Sequence, residues 1–117
     1  MEQKTEDPFA LGRKHVGDMT LRRVPEMVLR LNEATGIRDS EINKLAVKKA
    51  GDMLETNPLL APKTLAKAAF SLAIEYLDPG KETYDVRKAI TAALDEPTSY
   101  WFVLKGTMRR QLANASC

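Results

Sequence analysis

The segment from Pro62 to Leu77 constrains the fold more than any other part of the 117-residue chain. Its first residue suits the first turn of a helix, where the N–H that proline lacks needs no partner. Apolar side chains then cover most of the helical circumference: Ala66, Ala68, Ala69, Phe70, Leu72, Ala73, Ile74 and Leu77. A helix that is apolar nearly all round lies in the middle of a fold. The segment therefore predicts a central helix on which neighbouring helices pack closely.

Four further helices are predicted around this one, over residues 20–34, 40–56, 83–94 and 97–113. Asp39 and Thr83 are expected N-caps, because their side-chain oxygens can accept hydrogen bonds from free N–H groups of the first turn. The last helix carries an inward stripe at helical spacing: Trp101, Leu104, Met108 and Leu112. No convincing strand pattern is present. The expected fold class is therefore all-α, a compact five-helix bundle.

The start of the chain follows a different pattern. Residues 1–19 contain Pro8, Gly12 and Gly17, and their apolar positions show no sustained period. This predicts an irregular N-terminal arm over residues 1–19, followed by a single helical domain over residues 20–117. A chain of this length has room for one ordinary domain.

The composition indicates the cellular compartment in which we expect the protein. The only cysteine is Cys117, so neither an intramolecular disulfide nor a cysteine-based metal site is expected. The chain begins with polar residues, and no apolar run approaches the roughly 18–20 residues that span a bilayer. We therefore expect a cytoplasmic protein that does not bind membranes.

The sequence lacks the residue combinations of a catalytic site. Its one histidine, His15, stands beside Arg13 and Lys14, as expected of a surface residue. No serine has a histidine at a recognisable spacing, and no glycine-rich phosphate loop follows a strand. The interpretation is a protein that is not an enzyme, with no catalytic residues, no metal and no cofactor, and hence one that acts by binding a macromolecule.

The charge distribution suggests DNA as one partner. The net charge is only +2, but residues 81–117 carry six basic and four acidic side chains, whereas the first two thirds are balanced. The fourth and fifth helices, joined by a three-residue turn, have the outline of a helix-turn-helix. Their expected DNA contacts are cations: Arg87, Lys88, Lys105, Arg109 and Arg110. An alternative is that cations near a helix C-terminus only complement the helix dipole.

The one aromatic cluster suggests a protein partner instead. If Trp101 is in the core, Tyr100 or Phe102 must point elsewhere, and exposed aromatic residues anchor interfaces. The alternative function is therefore a helical protein-interaction module, an adaptor or inhibitor without nucleic-acid binding. It would use Tyr100 and Phe102, or the N-terminal arm. A homodimer formed through the same surface is compatible with either function.

Parts of the chain resemble a known family. The stretch Leu31–Ile37, Ala46 and the run Pro58–Ala73 are similar to one core repeat of transcription factor IIB, and a central alanine-rich helix among five is the plan of a cyclin box. The resemblance covers residues 24–113. It implies a cyclin-box-like fold that contacts promoter DNA and proteins of the transcription machinery. A second repeat and a zinc ribbon are missing, and Asp95 and Glu96 in the turn would repel phosphate.

Overall fold

The computed structural model describes residues 9–115, which form five α-helices and a short 3₁₀ turn at Pro79–Lys81. The helices are α1 (Ala10–Thr35), α2 (Ser40–Thr56), α3 (Pro62–Leu77), α4 (Tyr84–Ala92) and α5 (Tyr100–Ala115). No strand occurs in this part of the chain. The prediction of an all-α fold with five helices is confirmed.

Two helices have the N-cap residues that the sequence predicts. The Asp39 side chain accepts hydrogen bonds from the N–H groups of Glu41 and Ile42, at 2.9 and 3.4 Å. The Thr83 hydroxyl accepts one from the N–H of Val86, at 3.2 Å. These contacts replace intrahelical partners that the first turn lacks, so they fix where α2 and α4 begin.

The predicted central helix is α3. Every residue from Thr64 to Ile74 is buried, because α1, α2 and α5 all pack against it. The many alanines in this span allow such close packing on several sides at once. The core extends from α3 to residues such as Leu31, Ile42 and Trp101 on the surrounding helices.

The prediction of an irregular arm is wrong for residues 10–19, which form the first turns of α1. Gly17 explains the difference. It is buried, and a Cβ added there would lie 3.0 Å from the Cβ of Pro58. The glycine that resembles a helix breaker in the sequence thus lets the loop after α2 approach α1. Residues 1–8 of the expected arm, and Cys117, lie outside the described residues.

The connection between α4 and α5 also differs from the prediction. It spans residues 93–99, not three residues, because α4 ends at Ala92 and α5 begins at Tyr100. Leu94 and Asp95 both have left-handed backbone angles, with φ of 61° and 57°. Leu94 is buried, and this packing offsets the cost of that conformation for a residue other than glycine. A helix-turn-helix with a short turn is therefore absent from this pair.

Lys67 of α3 holds this connection in place. Its side chain is almost fully buried, and Nζ donates hydrogen bonds to the carbonyl oxygens of Thr91, at 3.0 Å, and Glu96, at 2.6 Å. Burial lowers the pKa of Lys67. One buried cation therefore ties the end of α4 to the connection that leads into α5.

Candidate functional site

The inner face of α5 contains a buried cation. Lys105, expected to contact phosphate, has a side chain that is only 2% exposed. Its Nζ lies 2.8 Å from Oε2 of Glu82 and 3.1 Å from Oε1 of Glu75. Lys105 therefore points towards α3 and the start of α4, and in this conformation a phosphate has no access to it.

Glu82 is the centre of a group of paired charged side chains that we call the buried charge cluster: Glu75, Glu82, Arg87, Lys105 and Arg109. The Ser71 hydroxyl donates to its Oε2 at 2.9 Å, and Nη1 of Arg87 lies 2.8 Å from its Oε1. Burial disfavours the carboxylate, but hydrogen bonds from Lys105 and Ser71 outweigh this and lower the pKa of Glu82 below its usual range. The group stays ionised because cations and a hydroxyl replace the water it has lost.

Arg109 joins the same cluster from the next turn of α5. Its Nε and Nη2 donate to the two carboxylate oxygens of Glu75, at 2.7 and 2.9 Å. This two-pronged pairing, with help from Lys105, lowers the pKa of Glu75 to about 2. Arg87, Lys105 and Arg109, three of the five cations expected to contact DNA, are thus bonded to carboxylates of the same chain.

The remaining two cations are exposed. Lys88 lies on α4, with Nζ 5.8 Å from the centre of the Tyr84 ring. Arg110 lies on α5 and forms no salt bridge with a carboxylate in the described part of the chain. The structure therefore leaves two of the five expected DNA contacts, on different helices, without an acidic partner.

The first turn of α5 presents apolar side chains to solvent. Tyr100 is 64% exposed, Phe102 52% and Val103 60%. We call these three residues the apolar surface. Trp101 between them is fully buried, and its Nε1 donates to the Thr91 hydroxyl at 3.0 Å. Because Trp101 points inward, its two sequence neighbours Tyr100 and Phe102 lie outside the core, where the protein-interaction hypothesis needs them.

Phe102 is held in a defined orientation. Its ring packs edge-on against that of Trp101, with 5.5 Å between the ring centres and 84° between the planes. The ammonium group of Lys105 lies 5.7 Å from the Phe102 ring centre. Since both neighbours are buried, the exposed ring rests on an ordered base. Such preorganised aromatic groups lose little conformational freedom when they bind a partner.

A second group of exposed apolar side chains lies at the start of α1. Phe9 and Leu11 are more exposed than any residue of the apolar surface. They belong to the N-terminal region that the protein-interaction hypothesis offers as an alternative contact. Gly17 and Thr20, further along the same helix, are buried. Deleting residues 1–19 would therefore remove the first turns of α1 and the contact of Gly17 with Pro58, so this region has to be tested by point substitutions.

Sequence reasoning missed the buried charge cluster. The period of α5 places Lys105 off the apolar stripe, yet Glu82, 23 residues away, draws it inward. One signal was present: Glu75 is a carboxylate on the most apolar helix of the chain. That side chain is about two thirds buried, because Lys105 and Arg109 pair with it.

Among residues 9–115, no three histidine, cysteine, aspartate or glutamate side chains converge in a way that could hold a metal ion. In the same range, no helix is both long and apolar enough to cross a membrane. No protein-family model, curated protein or solved structure matches the chain significantly. The resemblance to transcription factor IIB stays a prediction.

Proposed function

We propose that this chain is a helical protein-interaction module and that the apolar surface at the start of α5 is its contact site. The observation that carries the proposal is the exposure of three large apolar side chains in four consecutive residues, beside a tryptophan that is fully buried. Contiguous apolar groups on the surface of a soluble domain mark interaction sites more often than scattered ones do.

The chemistry of the surface suits a protein partner. A tyrosine and a phenylalanine supply large contact areas with few rotatable bonds, and such residues carry much of the binding energy at protein interfaces. The Phe102 ring already rests on Trp101. Binding would therefore remove apolar area from water without first having to order this ring.

The nearby charges indicate what the partner should present. Within α5, Arg110 is an exposed cation, and Lys105 and Arg109 are neutralised by Glu75 and Glu82. A matching partner has an apolar patch for Phe102 and Val103, with a carboxylate placed to reach Arg110. Duplex DNA fits this arrangement less well, because a DNA-binding face needs several free cations directed to one side.

The test compares two double variants in partner capture from lysate at high salt. Phe102→Ser/Val103→Ser removes the apolar surface. Leu29→Ser/Leu59→Ser removes a similar amount of exposed apolar area elsewhere, since both leucines are more than half exposed. We expect a protein that the wild type and the control variant retain and that the first variant loses. The retained protein, purified, should bind the wild type at least about tenfold more tightly than it binds the first variant.

A second arm measures duplex DNA by fluorescence anisotropy at about 50 and 200 mM salt. The proposal predicts no specific binding and at most a weak contact that Arg110→Ala abolishes. Strong, salt-dependent binding that is unaffected by changes in the apolar surface would overturn the proposal in favour of a nucleic-acid regulator.

A further inference from the structure

Four buried hydrogen-bond donors find acceptors in one short segment, residues 82–96. The donors belong to α3 and α5: Lys67, Ser71, Trp101 and Lys105. Their acceptors are the Glu82 carboxylate, the Thr91 hydroxyl and the carbonyl oxygens of Thr91 and Glu96, at 2.6–3.0 Å. The segment contains α4 and the first part of the connection to α5. We call residues 82–96 the lid, because they cover these donors.

The lid has few apolar contacts with the rest of the fold. Ile90 and Leu94 are its buried apolar side chains, and Val86 and Ala93 are partly buried. In α3, by contrast, every residue in the range 64–74 is buried. Removing apolar area from water is the main favourable contribution to folding, whereas a hydrogen bond that water can replace contributes little net stability. The lid therefore depends to a large extent on contacts that water can replace.

The backbone of the closed lid is strained at two residues. Leu94 and Asp95 both have left-handed angles, with φ of 61° and 57°, which residues other than glycine rarely adopt. Burial of Leu94 and the salt bridge between Arg30 and Asp95, at 3.2 Å, hold this conformation while the lid is closed. Because opening releases the strain, the strain lowers the free energy that opening requires.

We propose that the lid opens as a unit while α1, α2, α3 and α5 remain packed. Weakly packed segments of folded proteins open locally at a lower free energy than global unfolding. Lys105 keeps Glu75 as a partner, at 3.1 Å, and α5 stays attached to α3 by its inward apolar stripe. The inference goes beyond the proposed function, because the lid opens whether or not the apolar surface binds a protein.

The lid is linked to the apolar surface through Trp101. Its Nε1 donates to the Thr91 hydroxyl of the closed lid, at 3.0 Å, and the Phe102 ring packs against the Trp101 ring. In the open state Trp101 loses that hydrogen bond. The lid therefore controls how firmly the base of the apolar surface is held.

Alkylation of a cysteine placed beneath the lid measures opening. In a Cys117→Ser background, Ser71→Cys replaces one atom at a fully buried position beside Glu82. Iodoacetamide, which is small and uncharged, should reach this thiol only when the lid is open. Ala69→Cys is the control, because Ala69 is equally buried and lies two residues away, on the opposite side of α3. Each rate is divided by the rate for the same variant unfolded in urea, which removes differences in thiol reactivity.

Without urea, the Ser71→Cys thiol should react at least about tenfold faster than the Ala69→Cys thiol. Its rate should rise little at low urea concentrations, because lid opening exposes little surface. The Ala69→Cys rate should rise steeply, because only global unfolding exposes that thiol. The urea midpoints of the two variants correct for any difference in global stability. Equal corrected rates with the same dependence on urea would overturn the inference.

Hydrogen exchange of the unaltered chain tests the lid without a cysteine variant. Relative to their intrinsic rates, the amides of α4 should exchange at least about tenfold faster than those in the middle of α3 and α5, with a weak dependence on urea. Exchange of α4 together with α3, at one common free energy, overturns the inference. Fast exchange in α4 with a protected Ser71→Cys thiol also overturns it, because α4 then frays without exposing what the lid covers.

Discussion

Each face of α5 contains an exception to the usual distribution of polarity, in which apolar residues are buried and charged residues are exposed. The inner face buries the ammonium group of Lys105 between two carboxylates, and the outer face exposes Tyr100, Phe102 and Val103. Lysine is almost never fully buried unless it is paired, whereas exposed apolar residues in contiguous patches are uncommon on monomeric domains. One helix therefore has cations that are satisfied within the fold and apolar groups that are not.

The difference shows which face has unmet interactions. Lys105 and Arg109 have partners at 2.7–3.1 Å, so a ligand that bound either cation would have to compete with an existing ion pair. The outer apolar groups have only water as a partner for much of their area. Removing that area from water is favourable by roughly 25 cal/mol per Å². A binding partner gains more from the outer face than from the inner one.

The largest expected effect comes from breaking the inner face at its centre. Lys105→Met leaves the Glu82 and Glu75 carboxylates without their shared cation in a buried site, and losing one partner of a buried ion pair costs about 3 kcal/mol. We expect the free energy of unfolding in urea to fall by about that amount. Arg110→Met, on the outer face of the same helix, should change it by less than about 0.5 kcal/mol. Equal effects of the two changes would contradict the contrast between the faces.

Glu75 adds a pH dependence to the inner face. The hydrogen bonds from Arg109, followed by those from Lys105, lower the pKa of Glu75 from 4.5 to about 2. A carboxyl group whose pKa is lower in the folded state stabilises the fold above its unfolded pKa and loses that effect as pH falls towards the folded pKa.

Glu75→Gln should therefore lower the free energy of unfolding by about 2 kcal/mol near neutral pH. At about pH 3, the difference between this variant and the wild type should shrink by about half or more, because unfolded Glu75 is then largely protonated. Urea denaturation of both proteins at the two pH values measures this difference in the free energy of unfolding. A difference that stays constant with pH would mean that the Glu75–Arg109 pair does not depend on charge.

Lys67 is a second buried lysine, and its hydrogen-bond acceptors differ from those of Lys105. Its Nζ bonds two backbone carbonyl oxygens, of Thr91 and Glu96, where Lys105 bonds carboxylates. Lys67→Met leaves two carbonyl dipoles unpaired and should cost about 1.5 kcal/mol, less than Lys105→Met. Urea denaturation of both variants at neutral pH makes the comparison. A larger loss for Lys67→Met would show that anchoring the connection between α4 and α5 matters more than the charge cluster.

Much of the fold follows from local sequence patterns, because local chemistry fixes those parts. Asp39 and Thr83 cap the helices that they were expected to cap, and the alanines and apolar residues of α3 place that helix at the centre. These features depend on spacing within one segment. The start of α1 was missed because the role of Gly17 depends on Pro58, from a distant loop.

The same reasoning explains what could be predicted of the candidate site. The periodicity of α5 places Trp101 inside and leaves Tyr100 or Phe102 for the surface; in the structure both are exposed. It could not place Lys105, since a lysine next to an apolar stripe normally extends into water. Only a fold that brings Glu75 and Glu82 together gives this lysine a buried partner. Pairing between distant charges is therefore the part that the sequence pattern does not reveal.

A substitution on the outer face of α5 should change the stability of the fold least. It therefore tests most directly the central claim, that Phe102 is exposed in order to bind a partner. The measurement is the affinity of Phe102→Ser for the captured protein partner, made alongside the urea midpoint of this variant. The account predicts that binding weakens at least about tenfold while the free energy of unfolding changes by less than about 0.5 kcal/mol. Unchanged binding, or a loss of binding that only follows a loss of stability, would contradict the claim that Phe102 is exposed in order to bind.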